Sequence, residues 1–104
     1  MSWVLILSTV ARAEDAERIA RELVGRRLAA CVNVVPGVTS VYRWKGKIER
    51  EEERLLLIKT TRERLSTLQE TLVALHPYEL PEAIAVAIEG GHPPYLEWLD
   101  ESVK

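Results

Sequence analysis

The chain has 104 residues, 47% of them hydrophobic, and a net charge of −2, which is typical of one soluble domain over residues 1–104. The slight negative charge argues against nucleic acid as a partner, because phosphate binding needs a surplus of Lys and Arg on one face. No apolar run approaches the ~20 residues of a membrane helix. Cys31 is the only cysteine, which favours a reducing compartment. The N-terminus lacks the basic segment of a signal peptide, and we therefore expect a cytoplasmic protein.

The first part of the chain predicts a strand, a helix and a second strand. Residues 3–9 form a short Val-, Leu- and Ile-rich run that is typical of a buried strand. Apolar residues at helical spacing over residues 16–24 predict an amphipathic helix that ends near Gly25. Residues 29–42 are rich in Val and predict the second strand. Pro36-Gly37 interrupts this strand, which indicates a bulge or a sheet edge.

A long hairpin is predicted next. Trp44-Lys45-Gly46-Lys47 is a candidate tight turn because Gly adopts positive φ at little cost. Residues 48–60 are ambiguous, since their acidic first half has good helix propensity. We predict a strand here because the segment ends in a short buried run and the turn requires a returning partner. Charge along such an arm also protects an exposed edge from aggregation.

The last part of the chain completes the fold prediction. Thr61 is the predicted cap of a second helix, which ends at His76-Pro77. Residues 83–88 are apolar on both faces and predict an inner strand, and Pro93-Pro94 suit the first turn of a short C-terminal helix. The order β-α-β-β-α-β is that of the α+β ferredoxin-like fold. Its two long helices cover one sheet face, so we expect self-association to cover the other, apolar face.

The segment His76-Pro77-Tyr78-Glu79-Leu80-Pro81-Glu82 is the strongest candidate for a binding surface. Its two prolines exclude helix and inner strand. A stiff connection that carries an imidazole, a phenol and two carboxylates is a typical way to present functional groups. The alternative is a rigid turn with Tyr78 packed beneath it.

Several motifs together resemble the CutA family of divalent-cation tolerance proteins. They are residues 28–47 (LAACVNVVPGVTSVYRWKGK), Leu57-Ile58-Lys59-Thr60, the segment His76–Glu82, and Tyr95-Leu96-Glu97-Trp98-Leu99. The resemblance covers almost the whole chain. It implies a ferredoxin-like homotrimer, cytoplasmic in bacteria, that is connected with tolerance of copper and other divalent metals.

Cys31 and His76 are the candidate metal ligands. A thiolate and an imidazole suit copper or zinc, and the resemblance places both residues at positions that the family associates with metal. Their spacing in the sequence does not force them together, and the alternative for Cys31 is a small buried hydrophobe. Some relatives have Cys where this chain has Ser8, and a second His where it has Leu75. No organic cofactor is evident.

Trp44, Lys59, Tyr78 and Glu82 form a second candidate site. The family's trimer would bring them together in a cleft at subunit boundaries, where a cation, two aromatic rings and a carboxylate could hold a small polar anion or a metal complex. The alternative is that these residues make buried polar contacts of the interface.

Three functions are compatible with these features. The first is a homotrimer that binds metal ions and supports metal tolerance. The second is a small-molecule signalling trimer similar to the nitrogen-regulatory PII proteins, and the third is a purely structural assembly module. Enzymatic activity is not expected, because Cys31 has no neighbouring base in the sequence, and neither a G-x-S-x-G motif nor a phosphate loop is present.

Overall fold

The computed structural model describes residues 2–104 and has the element order that the sequence predicts. The elements are β1 (Trp3–Val10), α1 (Ala13–Gly25), β2 (Cys31–Trp44), β3 (Lys47–Thr61), α2 (Leu65–Leu75), β4 (Ile84–Ile88) and α3 (Pro93–Ser102). The strands form one sheet in the order β2-β3-β1-β4, and each neighbouring pair is antiparallel. This is the predicted α+β ferredoxin-like arrangement.

The hydrophobic core lies between one sheet face and the helices α1 and α2, and this face is called the helix-covered face. Burial alternates strictly along β1, as expected when one strand face packs against helices. The apolar stripes of the two helices meet this face. The buried core residues are Ile6, Val10, Ala16, Ile19, Leu23, Leu28, Ala29, Leu56, Ile58, Leu68 and Leu72.

The hairpin of β2 and β3 extends well beyond the rest of the sheet. Pairing of β1 with β3 stops at Arg54, so residues 38–53, called the hairpin arm, pair only with one another. Lys45 and Gly46 both have positive φ, 50° and 82°, as a two-residue type I′ turn requires. The ladder has a register shift between Val35 and Val38, which confirms the bulge predicted at Pro36-Gly37.

Residues 83–88 were expected to form an inner strand, and this prediction is wrong. β4 pairs only with β1 and lies at the edge of the sheet. Ile84 and Val86 remain 55% and 46% exposed. The apolar pattern on both faces therefore does not reflect burial within this chain, and an exposed apolar edge strand is an unprotected pairing surface.

One predicted helix cap is wrong, and one predicted helix end is confirmed. Thr61 makes no side-chain capping hydrogen bond, and a 3₁₀ turn over Arg62–Arg64 precedes α2. Gly25 is the last residue of α1, as predicted, and the left-handed residue that reverses the chain is Arg27, with φ 57°. The amide of Leu28 donates to the carbonyl of Leu23 at 3.0 Å, which satisfies one orphan carbonyl of the helix end.

The opposite side of the sheet, called the open sheet face, carries apolar side chains that helices do not cover along most of its length. The members of β1 and β3 on this face, including Leu7 and Leu57, are half-buried. α3 covers one end, where Leu99 is buried and the indole nitrogen of Trp3 donates to Asp100 at 2.9 Å. Within residues 2–104, no helix has the length and apolarity needed to span a membrane.

Candidate functional site

A cleft of about 600 Å³ separates the hairpin arm from the loop at residues 76–82 and is called the acidic cleft. One wall comes from β2 and β3, where Tyr42 is paired with Glu49 in the ladder. The other wall comes from the loop and contributes Tyr78 and Glu82. Because strand side chains alternate between faces, the residues at positions 49, 51 and 53 all point to the same side of the arm.

The imidazole of His76 fixes the loop to the end of β1. Its Nε2 lies 2.9 Å from the carbonyl oxygen of Thr9. A carbonyl can only accept, so Nε2 carries the proton and Nδ1 accepts the amide hydrogen of Tyr78 at 3.1 Å. The rings of His76 and Tyr78 also pack edge-on, with their centroids 4.5 Å apart. His76 is buried and uses both ring nitrogens to position Tyr78.

Tyr78 connects the loop to the hairpin arm. Its hydroxyl donates to Oε2 of Glu53 at 2.5 Å, and Glu53 is only 4% exposed. Burial, the hydrogen bond and the charge of Glu53 raise the pKa of Tyr78 above its ordinary range. On the same wall, the hydroxyl of Tyr42 donates to Glu51 at 2.8 Å, and this bond raises the pKa of Tyr42 to about 12. Both phenols therefore stay protonated as donors to carboxylates.

The electrostatic character of the cleft is negative. Burial raises the pKa of Glu82, and the nearby charge of Glu53 raises it further. Two carboxylates in a shared, partly dry site disfavour simultaneous ionisation. At the rim, Glu79 forms an exposed ion pair with Lys45 at 3.8 Å. A small anion, which the sequence suggested as one possible ligand, does not suit this charge pattern within a single chain.

The structure brings three of the four residues predicted for this site together. Trp44, Tyr78 and Glu82 all line the acidic cleft. Lys59 lies elsewhere: it pairs with Cys31 in the ladder, and its ammonium is 3.4 Å from the hydroxyl of Tyr95. Within one chain Lys59 therefore does not reach the cleft.

The two predicted metal ligands are also apart. Cys31 is half-buried and lies opposite Lys59, whereas His76 contacts Thr9, which lies opposite Leu55. Four residues along a strand span ~13 Å, so the two side chains do not share an ion within one chain. The described part of the chain, residues 2–104, holds no group of three His, Cys, Asp or Glu residues suited to a metal. Their role as ligands stays a prediction.

The sequence reasoning missed the carboxylates of the hairpin arm as part of the site. It treated residues 49–54 as a charged, exposed edge, but Glu53 is buried against Tyr78. The sequence held part of the information needed to place these carboxylates in the site. Once the turn at Gly46 sets the register, Tyr42 falls opposite Glu49, and alternation then places three glutamates beside aromatic residues.

Comparison with known proteins agrees with the resemblance in the sequence. A family model described as CutA1 divalent ion tolerance protein matches residues 4–102. The chain is 50% identical to the divalent-cation tolerance protein CutA of Thermus thermophilus over 98 residues, which cover 94% of this chain and 95% of the relative. The crystal structure of CutA from Xylella fastidiosa superposes with a TM-score of 0.97 at 48% identity and covers 100% of both chains. CutA1 from Oryza sativa gives a TM-score of 0.96 at 43% identity and covers 100% of this chain and 95% of that chain.

The relatives also correct one expectation. A cytoplasmic location is not supported, because CutA proteins of Oryza sativa and Arabidopsis thaliana are named chloroplastic. A CutA of Archaeoglobus fulgidus with a TM-score of 0.94 and 38% identity, matched over 98% of this chain and 99% of that one, is named periplasmic. The plant proteins are longer, and this chain matches 57% and 56% of their lengths. Composition and a single cysteine therefore do not decide the compartment for this fold.

Proposed function

Because this chain belongs to the CutA1 divalent ion tolerance family, we propose that it serves divalent-metal tolerance by binding metal ions as a homotrimer rather than by catalysing a reaction. The match of the family model over residues 4–102 carries this proposal. Copper is the proposed probe metal, since a thiolate and an imidazole are soft ligands that favour copper over magnesium or calcium.

Three exposed features support assembly. The open sheet face leaves half-buried Leu side chains next to solvent, and β4 leaves Ile84 and Val86 on an unpaired edge. The hairpin arm extends the molecule to 44 Å along its longest axis. Apolar faces and edges of this kind are stabilised when another chain covers them. We propose three chains per assembly, as the family resemblance implies.

The placement of the candidate ligands constrains the metal site. Cys31 lies half-buried on the open sheet face, with Sγ 3.7 Å from Oδ1 of Asn33. A copper site that uses Cys31 therefore needs further ligands from water or a neighbouring chain. His76 joins such a site only if one of its two hydrogen bonds opens.

Sedimentation velocity and copper titration test the proposal together. At micromolar concentration the sedimenting mass should be about three times 11.8 kDa. Copper should bind saturably, and its affinity should fall as the pH is lowered, because protons compete with the metal for the ligands. At 100 times its dissociation constant, copper should stabilise the fold by roughly 2.7 kcal/mol.

Cys31→Ser and His76→Ala should each weaken copper binding, with His92→Ala as the matched histidine control. His76→Ala also removes the anchor of the loop, so Cys31→Ser is the cleaner variant. A stable monomer contradicts the assembly proposal. Unchanged copper affinity in both variants contradicts the ligand proposal.

A second candidate function is the binding of a small molecule, as in the PII-like alternative. The acidic cleft favours it, because its volume of about 600 Å³ lies within the usual range for small-ligand pockets of ~300–1,000 Å³. Among residues 2–104, Trp44 is the one tryptophan that lines it. A ligand in the cleft should therefore change the fluorescence of Trp44, which a Trp44→Phe variant identifies by losing that change.

A further inference from the structure

We draw no further inference here: the strongest candidate, the basic tip of the hairpin arm around Arg43, Lys45, Lys47 and Arg50, carries none, because nothing in the structure of residues 2–104 shows what covers the exposed Val41 and Ile48 beside it.

Discussion

The helix-covered face of the sheet and the acidic cleft are built from the same strand, β3, but differ in completeness. On the helix-covered face, Leu56 and Ile58 are fully buried among apolar neighbours from α1 and α2. A few residues earlier, Glu53 is almost as deeply buried but faces other carboxylates. The chain itself completes the apolar packing of the helix-covered face. In the acidic cleft, by contrast, carboxylates outnumber cationic side chains.

This difference separates what stabilises the fold from what is available for binding. Close-packed apolar contacts weaken when a substitution removes volume, and they are complete without a binding partner. Unpaired charges in a partly dry cleft raise the free energy of the isolated chain, and a ligand of opposite charge would lower it. Substitutions in the two regions should therefore respond differently to protein concentration, pH and added cations.

The largest effect is expected from paired truncations on neighbouring residues of β3. Leu56→Ala should lower the free energy of unfolding by about 2–5 kcal/mol, because it leaves a cavity in the core. The cost should not vary with protein concentration. Leu57→Ala, on the half-buried open face, should cost less at high dilution and more where chains associate. Denaturant unfolding at several concentrations measures both, and equal, concentration-independent costs would contradict the contrast between the faces.

The next effect concerns the donor to the buried carboxylate. Tyr78→Phe removes the hydroxyl that donates to Glu53, and an unsatisfied buried acceptor costs about 1–3 kcal/mol. Tyr42→Phe is the control, since its hydroxyl bonds to Glu51 at a more exposed position and should change stability by within about 0.5 kcal/mol. Chemical denaturation of both variants decides the point. Equal losses of stability in Tyr78→Phe and Tyr42→Phe would contradict the difference in burial between the two hydrogen bonds.

A third prediction compares two buried hydroxyls of the helix-covered face. Ser8 Oγ is fully buried and has no hydrogen-bond partner within residues 2–104, whereas Thr60 Oγ1 donates to the carbonyl of Leu28 at 2.6 Å. Ser8→Ala should therefore raise the free energy of unfolding by about 1 kcal/mol, and Thr60→Val should lower it by a similar amount. Thermal unfolding of the two variants should give shifts of opposite sign. A loss of stability in Ser8→Ala would show that the hydroxyl is satisfied in solution.

The smallest effect depends on pH. Because the folded chain raises the pKa of Glu82 above its usual value of 4.5, the fold holds this proton more tightly than the unfolded chain does. The free energy of unfolding should therefore fall as the pH rises from 4.5 through the raised pKa of Glu82. Glu82→Gln should melt above the parent at pH 7, and the two curves should converge below pH 4.5. A melting temperature for Glu82→Gln that stays below the parent's at pH 7 would contradict the assigned cause.

The fold was largely predictable because local signals agreed with one another. Gly46 and the bulge at Pro36-Gly37 set the hairpin, and helical periodicity located α1 and α2. β4 was misplaced because an apolar pattern reports burial against any surface, including one outside the chain. Within the site, the family resemblance grouped Trp44, Tyr78 and Glu82 with Lys59, and only the first three lie together in one chain. The burial of Glu53 depends on how the loop folds back, a long-range contact that no local pattern encodes.

The bulge at Gly37 has a mechanical consequence for the acidic cleft. From the bulge, seven residues of β2 extend to Trp44, a lever of ~23 Å at the usual rise per residue. A rotation of a few degrees at its base therefore displaces the tip by ~2 Å and changes the width of the cleft. The hydrogen bond from Tyr78 to Glu53 lies beside this pivot, where Val38 pairs with Glu53. This hydrogen bond therefore joins the loop at residues 76–82 to the base of the arm, beside the bulge.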